Sequence, residues 1–308
     1  MKIVVTGGAG RLGRSTLEAL ARAGHEVICI DRVPAPDFAG RQVDVDLLHP
    51  SAFSNFVADE RPDAIVHLAA IAVPFSAPEA VTLETNSRLA FTVLDAAREH
   101  GVARVLAASS PTVIGYGSPT GWTPDILPID ERHGTRPWNA YALSKQLVES
   151  MVAMFARQQT GTVFGAFRPC FVISPEEWAG EPTQQGHTVV DRLNDPSLAA
   201  VSLFNYVDAR DAADFVVRWV ERADAAVDGQ VFFVGAADAL ALAPLDRLLP
   251  FAAAHALGGT APAFSSRRAA DRLGWAPTRS WRTELAPDQL ALLLSPTVLS
   301  PTTESSLP

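Results

Sequence analysis

Tyr141 and Lys145 stand four residues apart in "NAYALSKQLVES". On a helix that spacing places both side chains on one face, and the chemistry such a pair can do is proton transfer. A free phenol titrates near pH 10 and is a poor base at neutral pH. A neighbouring ammonium favours the phenolate, and lowering the pKa by about 3 units takes about 4 kcal/mol of differential stabilisation. Lysine is a compact point charge that can also reach the ribose hydroxyls of a cofactor. Its presence here is informative because lysine is scarce: Lys2 and Lys145 are the chain's only lysines among 25 basic side chains, and tyrosine occurs only at Tyr116, Tyr141 and Tyr206. A strand-like run ending in "AASS" precedes the pair, so that a hydroxyl at Ser110, or at its neighbour Ser109, can hold a substrate oxygen beside the phenol.

A second constellation lies at the start of the chain. "VVTGGAGRLGRS" carries Gly8, Gly10 and Gly13 in the G-x-G-x-x-G spacing, and Gly7 adds G-x-x-G-x-x-G. Glycines there allow a tight turn and close approach of a pyrophosphate, which then rests on a helix N-terminus. The motif follows an apolar strand and precedes an amphipathic helix, so Gly7, Gly10, Arg11, Leu12 and Gly13 are read as cofactor-binding. The next apolar run ends at Asp31, where an acid can bind the adenosine ribose hydroxyls. Asp31 would repel a 2'-phosphate and favours NAD over NADP, although Arg32 or Arg11 could bind that phosphate instead.

Short apolar runs alternating with helical stretches must position these residues. "KIVVT", "EVICID", "RQVDV", "DAIVHLAA", "ARVLAASS" and "TVFGAFRP" read as strands. Helices are expected from Arg11 to Gly24, from Ser51 to about Glu60, from Glu79 to Gly101 and from Asn139 to Gly161. Buried strands alternating with helices imply α/β architecture, a doubly wound parallel sheet covered on both faces. The Pro- and Trp-rich stretch 111–138 breaks the pattern and is read as a lid beside the site. After Pro169 the composition becomes mixed, with a helix in "DARDAADFVVRWVERA", a strand in "QVFFVG" and a short helix in "SRRAADRLGW". The expected division is a dinucleotide-binding core over 1–168, a smaller C-terminal substrate lobe over 169–294 with segments returning to the core, and a mobile tail over 295–308.

Composition narrows the function classes. At 308 residues and 48% apolar content the chain can bury a large core. A formal net charge of -9 speaks against nucleic-acid or anionic-membrane partners. No window reaches the length of a membrane span and no charged leader precedes the first strand, which points to the cytosol. Cys29 and Cys170 lie in apolar runs and are read as buried free thiols. No His/Cys cluster has metal-ligand spacing, so no metal is expected.

Taken together, "TGGAGRLG", Asp31, "DVDLL", "HLAA", "ETNSRLAFTVLDAA", "SSPTVIG", the Tyr141/Lys145 pair, "FRP", "YVDARDAA" and "RRAADRLGW" resemble the extended short-chain dehydrogenase/reductases, the NAD-dependent epimerase/dehydratases, over roughly residues 1 to 285. The resemblance implies Tyr141 as base and acid, Lys145 as its partner and as a ribose anchor, and Ser110 as the hydroxyl near the reacting carbinol. It further implies adenine contacts from Asp46 and Leu47, a cofactor-lining stretch at Leu68, Ala69 and Ala70, support of the active-site backbone by Asn86, and a homodimer acting on a carbohydrate.

The subfamily signatures diverge. Nucleotide-sugar members often carry "RPxNVYGP", and here the stretch is "RPCFVISP" with Phe171 in place of the asparagine. Phe204 stands near the place of a diphosphate-binding arginine, and Arg267 and Arg268 do not match the second one. The Asp-Glu pair that sugar 4,6-dehydratases use is replaced by Pro111 and Thr112. Uronate dehydrogenases share "HLxxIxV" and "SSxxxIGxY", but their Asn-His pair is also Pro111-Thr112 here. Thr112 and Arg168, the latter at their carboxylate-binding position, are candidate substrate contacts, although an arginine at the place of Arg168 is common in the wider family and a structural role is the alternative. The expected function is NAD-dependent hydride transfer at a secondary alcohol of a sugar-like substrate. A redox-neutral nucleotide-sugar epimerase and a non-catalytic dinucleotide sensor are the competing readings.

Overall fold

The computed structural model describes residues 1–294; the expected tail over 295–308 lies outside them. Seven strands form one sheet: β1 (Lys2–Thr6), β2 (Glu26–Ile30), β3 (Arg41–Val43), β4 (Ala64–His67), β5 (Arg104–Ala108), β6 (Val163–Pro169) and, in the same sheet, Gln230–Val234. A separate two-stranded ribbon pairs β7 (Val172–Ile173) with β8 (Val207–Asp208), which makes Gln230–Val234 β9. The order in the large sheet is β3-β2-β1-β4-β5-β6-β9, and every pairing is parallel. Four helices connect the first strands: α1 (Arg11–Arg22), α2 (Pro50–Glu60), α3 (Glu79–Glu99) and α4 (Ala140–Ala156).

Strand alternation sorts the core onto two faces. Ile3 and Val5 point with Leu17 and Leu20 of α1 toward the helix Ala209–Arg222, which contributes Phe215, Val216 and Trp219. Val4, Ile28, Ile65, Val105 and Phe164 point the other way, onto Phe53 of α2, Val93 and Leu94 of α3, and Val152 and Phe155 of α4. Gly165 in β6 makes room for the first layer, since a Cβ there would lie 2.6 Å from the Trp219 ring. The chain winds outward from β1 in both directions, which opens a crevice at the C-terminal ends of β1 and β4, the usual ligand place in such sheets.

The helix expected to run to Gly161 stops at Ala156, because the backbone turns left-handed at Gln159 (φ 53°) and Gly161 (φ 90°). Beyond Pro169 a third cluster, including Phe171, Ile173, Trp178, Leu193, Tyr206 and Trp281, forms the core of a smaller C-terminal lobe. The helix Ala209–Arg222 and β9 leave that lobe and complete the sheet. The segment 111–138 begins as a single 3-10 turn (Pro111–Ile114). It is then pinned down: Tyr116 packs edge-on against Phe264, Trp122 donates to the Ile114 carbonyl, and the Ile129 amide donates to the Ala263 carbonyl. No described helix is long and apolar enough to cross a membrane.

Candidate active site

The dinucleotide turn is shaped by what its glycines leave out. Gly7 has a left-handed backbone (φ 76°), and a Cβ there would meet the Ala69 amide nitrogen at 2.5 Å. A Cβ on Gly13 would lie 2.2 Å from the Gly7 carbonyl oxygen. Helix α1 starts at Gly10, which has an extended backbone and no side chain to cap the first turn, so its leading amides face the crevice as an anion site. Asp31, at the end of β2, accepts from the Ala9 amide at 2.9 Å and the Val33 amide at 3.1 Å, which fixes its carboxylate beside the turn. Asp31, Arg32, Asp46, Leu47, Ala69 and Ala70 line one cavity with Gly7 and Gly10. Gly10 also borders a second cleft, with Arg11, Leu12 and Leu68, that leads to Tyr141. A cradle that rejects Cβ atoms, an uncapped helix start and a fixed acid at the next strand end fit a dinucleotide.

Two of the expected cofactor residues also make contacts within the protein. Asn86 on α3 is buried and clasps Ile71, accepting from its amide (2.8 Å) and donating to its carbonyl (3.1 Å), and it also donates to the Ser144 hydroxyl (3.1 Å). It ties the loop after β4 to α4 rather than lining either cavity. Arg11 donates through Nε to Glu177 of the short helix Pro175–Trp178 at 2.7 Å, joining the first turn of α1 to the C-terminal lobe.

Ser110, Tyr141 and Lys145 meet in the second cleft. Asn139 caps α4 by accepting from the Ala142 amide (2.9 Å), which places Tyr141 in the first turn of the helix. The Ser110 hydroxyl accepts from the Thr112 hydroxyl (2.9 Å) and lines the cleft together with Tyr141. Ser109 turns elsewhere and donates to Glu149 at 2.6 Å. Lys145 is buried and donates through Nζ to the Ala108 carbonyl (2.9 Å), 5.9 Å from the centre of the Tyr141 ring.

The electrostatics depart from the simple activated-tyrosine expectation. Burial pushes Tyr141 above its ordinary value near 10, and the influence of the nearby Ser110 hydroxyl works against this. Burial also pushes Lys145 down to about 8. The ammonium is aimed at the end of β5, not at the phenol oxygen, so in the protein alone it does not lower the tyrosine pKa. His67 at the end of β4 bonds through Nδ1 to Thr6 Oγ1 (2.8 Å), and burial, with the Lys145 charge behind it, holds its pKa down to about 3. It is a neutral structural histidine.

The structure does not bring Arg168 to the cleft. Its Nε and Nη2 bond to the two oxygens of Glu149 at 2.7 and 2.8 Å, and its guanidinium lies 4.8 Å from the centre of the Phe233 ring. A strand-end arginine at this place was open to a substrate contact or a structural role; it faces inward because Glu149, one turn beyond Lys145 on the same face of α4, supplies the buried partner. Sequence reasoning passed over Glu149, although its i+4 spacing from Lys145 was a usable signal. It also passed over Phe75, Trp138, Gln184, Gln185 and Ser202, which line the cleft beside Tyr141 and Thr112.

Residues 3–235 match the model of the NAD-dependent epimerase/dehydratase family. Among curated relatives, a UDP-glucose 4-epimerase of Corynebacterium glutamicum is 30% identical over 161 residues, covering 51% of this chain and 47% of that protein. A 2'-dehydrokanamycin reductase of Streptomyces kanamyceticus is 30% identical over 155 residues, covering 49% and 38%. The chain thus spans half or less of the length of these relatives. Among solved structures, a short-chain dehydrogenase/reductase superfamily protein from Agrobacterium tumefaciens with bound NAD superposes with a TM-score of 0.72 at 24% identity, over 95% of this chain and 97% of that one. A UDP-glucose 4-epimerase of Thermotoga maritima with UDP-glucose gives 0.72 at 19%, over 96% and 100%. At these identities the superpositions carry the fold. The family match begins within β1 and ends just past β9, so it takes in the whole sheet and both cavities' strand ends: the chain belongs to the NAD-dependent epimerase/dehydratase family of enzymes, and its cofactor is NAD.

Proposed function

We propose that this enzyme carries out net hydride transfer at a secondary alcohol, or the matching ketone, of a small sugar-like substrate. One observation carries the choice: Ser110, Tyr141 and Lys145 converge in a cleft where Arg11 is the only arginine among the described lining residues, and Arg11 is already tied to Glu177. Other arginines of the C-terminal segment are also engaged. Arg279 bonds to Asp211 (2.5 Å), Arg210 to Asp208 (2.6 Å), Arg282 to Asp238, and Arg268 to the Val231 carbonyl (3.0 Å). A substrate diphosphate would lack the bidentate partners that hold such groups well.

Bound at the glycine turn, NAD supplies the hydride acceptor or donor. Tyr141 exchanges the proton of the substrate hydroxyl. With its pKa held above 10 it rests as a phenol, the form that donates a proton to a carbonyl during reduction. Oxidation requires the phenolate, and a charged Lys145 that swings from the Ala108 carbonyl toward the phenol would favour it. Ser110, in the same cleft as Tyr141, orients the substrate oxygen, and the Thr112 hydroxyl, which donates to Ser110, helps to fix its rotamer.

A nucleotide-sugar epimerase is the second reading. It is favoured by the names of the curated relatives and by Arg192, which is fully buried, lies 4.1 Å from the centre of the Phe171 ring, and bonds to Gln185 and Ser202 of the cleft wall. If those two side chains moved aside, its guanidinium would be open to a phosphate. One screen separates the readings. Free sugars, aldonates and uronates are offered with NAD, and NADH is followed by absorbance. The first reading expects a substrate that gives stoichiometric NADH, and expects Tyr141→Phe to lower its turnover by at least about 10²-fold with NAD binding kept. Tight binding of UDP, interconversion of two nucleotide sugars and no net NADH would establish the second reading instead.

A further inference from the structure

We propose that Phe75 and Trp138 form a stacking platform for the C–H face of a cyclic sugar at the mouth of the catalytic cleft, a role that rests on the functional reading above and narrows its substrate class. Both rings line the cleft that holds Ser110, Tyr141 and Lys145. Their centres lie 5.7 Å apart at an interplanar angle of 40°, within the range of paired aromatic rings. Trp138 is fixed, its indole N–H donating to the Tyr116 carbonyl at 3.0 Å. It stands three residues before Tyr141, next to the cap of α4, so the platform and the reacting phenol share one helix start.

Stability does not account for the pair. Phe75 is 61% exposed and Trp138 38%, so the two rings leave much apolar surface in water. Phe75 also sits in the left-handed region at φ 62°, where a bulky side chain is an outlier and glycine would be at ease. A phenylalanine held in a strained backbone with most of its ring in solvent contributes little to the fold. Strain of this kind collects at ligand-binding positions. The lobe side of the same cleft supplies Gln184, Gln185 and Ser202, neutral groups that donate and accept hydrogen bonds. A cleft with an aromatic surface from one half and amide and hydroxyl groups from the other suits a ring with an apolar C–H face and a polar edge, which is the surface of a pyranose.

The test uses Phe75→Gly, which the backbone accommodates, together with Trp138→Leu and the conservative Phe75→Tyr. Steady-state kinetics are measured on the sugar that gives NADH with the unaltered enzyme, alongside thermal melting and NAD binding. The platform predicts that Phe75→Gly and Trp138→Leu raise KM about tenfold or more with kcat little changed, the signature of lost uniform binding. Phe75→Tyr should restore KM, and Phe75→Gly should melt no lower than the parent. Unchanged KM in both ring-removing variants overturns the platform while leaving the hydride-transfer reading intact. So does competitive inhibition by UMP that weakens in Phe75→Gly, because a nucleobase would then be the stacked group. Failure of the unaltered enzyme to oxidise or reduce any sugar overturns both.

Discussion

Replacing Arg168 by methionine separates the two roles this side chain can have. Arg168 and Glu149 side chains are 4% and 10% exposed and share two hydrogen bonds of 2.7 and 2.8 Å. Arg168→Met leaves Glu149 Oε2 without that partner, while Oε1 keeps only the Ser109 hydroxyl at 2.6 Å. Breaking a buried pair on one side costs roughly 3–5 kcal/mol, because an uncompensated charge stays behind. Methionine keeps most of the contact with Phe233, so that loss is electrostatic rather than a cavity. For a chain of this size the melting temperature should fall by roughly 5–10 °C. A second change, Glu149→Gln, removes the stranded charge and keeps an acceptor for Ser109, so the double variant should recover more than half of the loss. Chemical denaturation at neutral pH measures both steps, and kcat/KM taken well below the melting temperature should change less than about tenfold. If Arg168→Met instead costs under about 1 kcal/mol and raises KM alone, the guanidinium meets the substrate and the inward-facing arrangement is wrong.

Two further outcomes follow from the charges. Asp31→Ala should weaken NAD and improve relative use of NADP, since it removes the carboxylate that would repel a 2'-phosphate; a parent enzyme that already prefers NADP would mean that Arg32 or Arg11 outweighs Asp31. Burial lowers Lys145 to about 8 in the folded protein from an ordinary 10.5. The unfolded chain therefore holds the proton over that window, and stability rises with pH across it. Compared with Lys145→Met, the parent should gain up to about 3 kcal/mol between pH 8 and pH 10.5. Parallel pH–stability curves would show that the ammonium is not desolvated.

The sheet was legible in the sequence because a parallel strand buried on both faces needs an unbroken apolar run, as in the "IVV" of β1 and the "AIV" of β4. The glycine turn was legible because its steric demands leave no other residue, as the Gly13 contact shows. Arg168 was not, because an arginine at a strand end has the same local signature whether it faces the crevice or the core. What decides is Glu149, brought beneath it by the packing of α4 on the sheet. The orientation of Lys145 was hidden for a related reason: i and i+4 spacing fixes a face of the helix but not which carbonyl a four-carbon side chain will find. Phe75 was invisible because its backbone runs against its residue type. Gln184 and Gln185 lie in a stretch without periodicity, so their approach to the cleft depends on the placement of the lobe and on nothing local.

The return of β9 to the sheet bears on how such an enzyme can be recombined. β6 is hydrogen-bonded to β5 on one side and β9 on the other. A chain cut after residue 168 would bare the ladder edge of β6 and uncover Phe167, which packs on Phe215. An open apolar edge recruits foreign strands. A graft that exchanges one substrate-binding region for another must therefore keep β9 and the helix Ala209–Arg222 with the recipient sheet. The exchangeable pieces are then the inserts between those elements, which makes specificity in this scaffold a matter of swapping loops rather than domains.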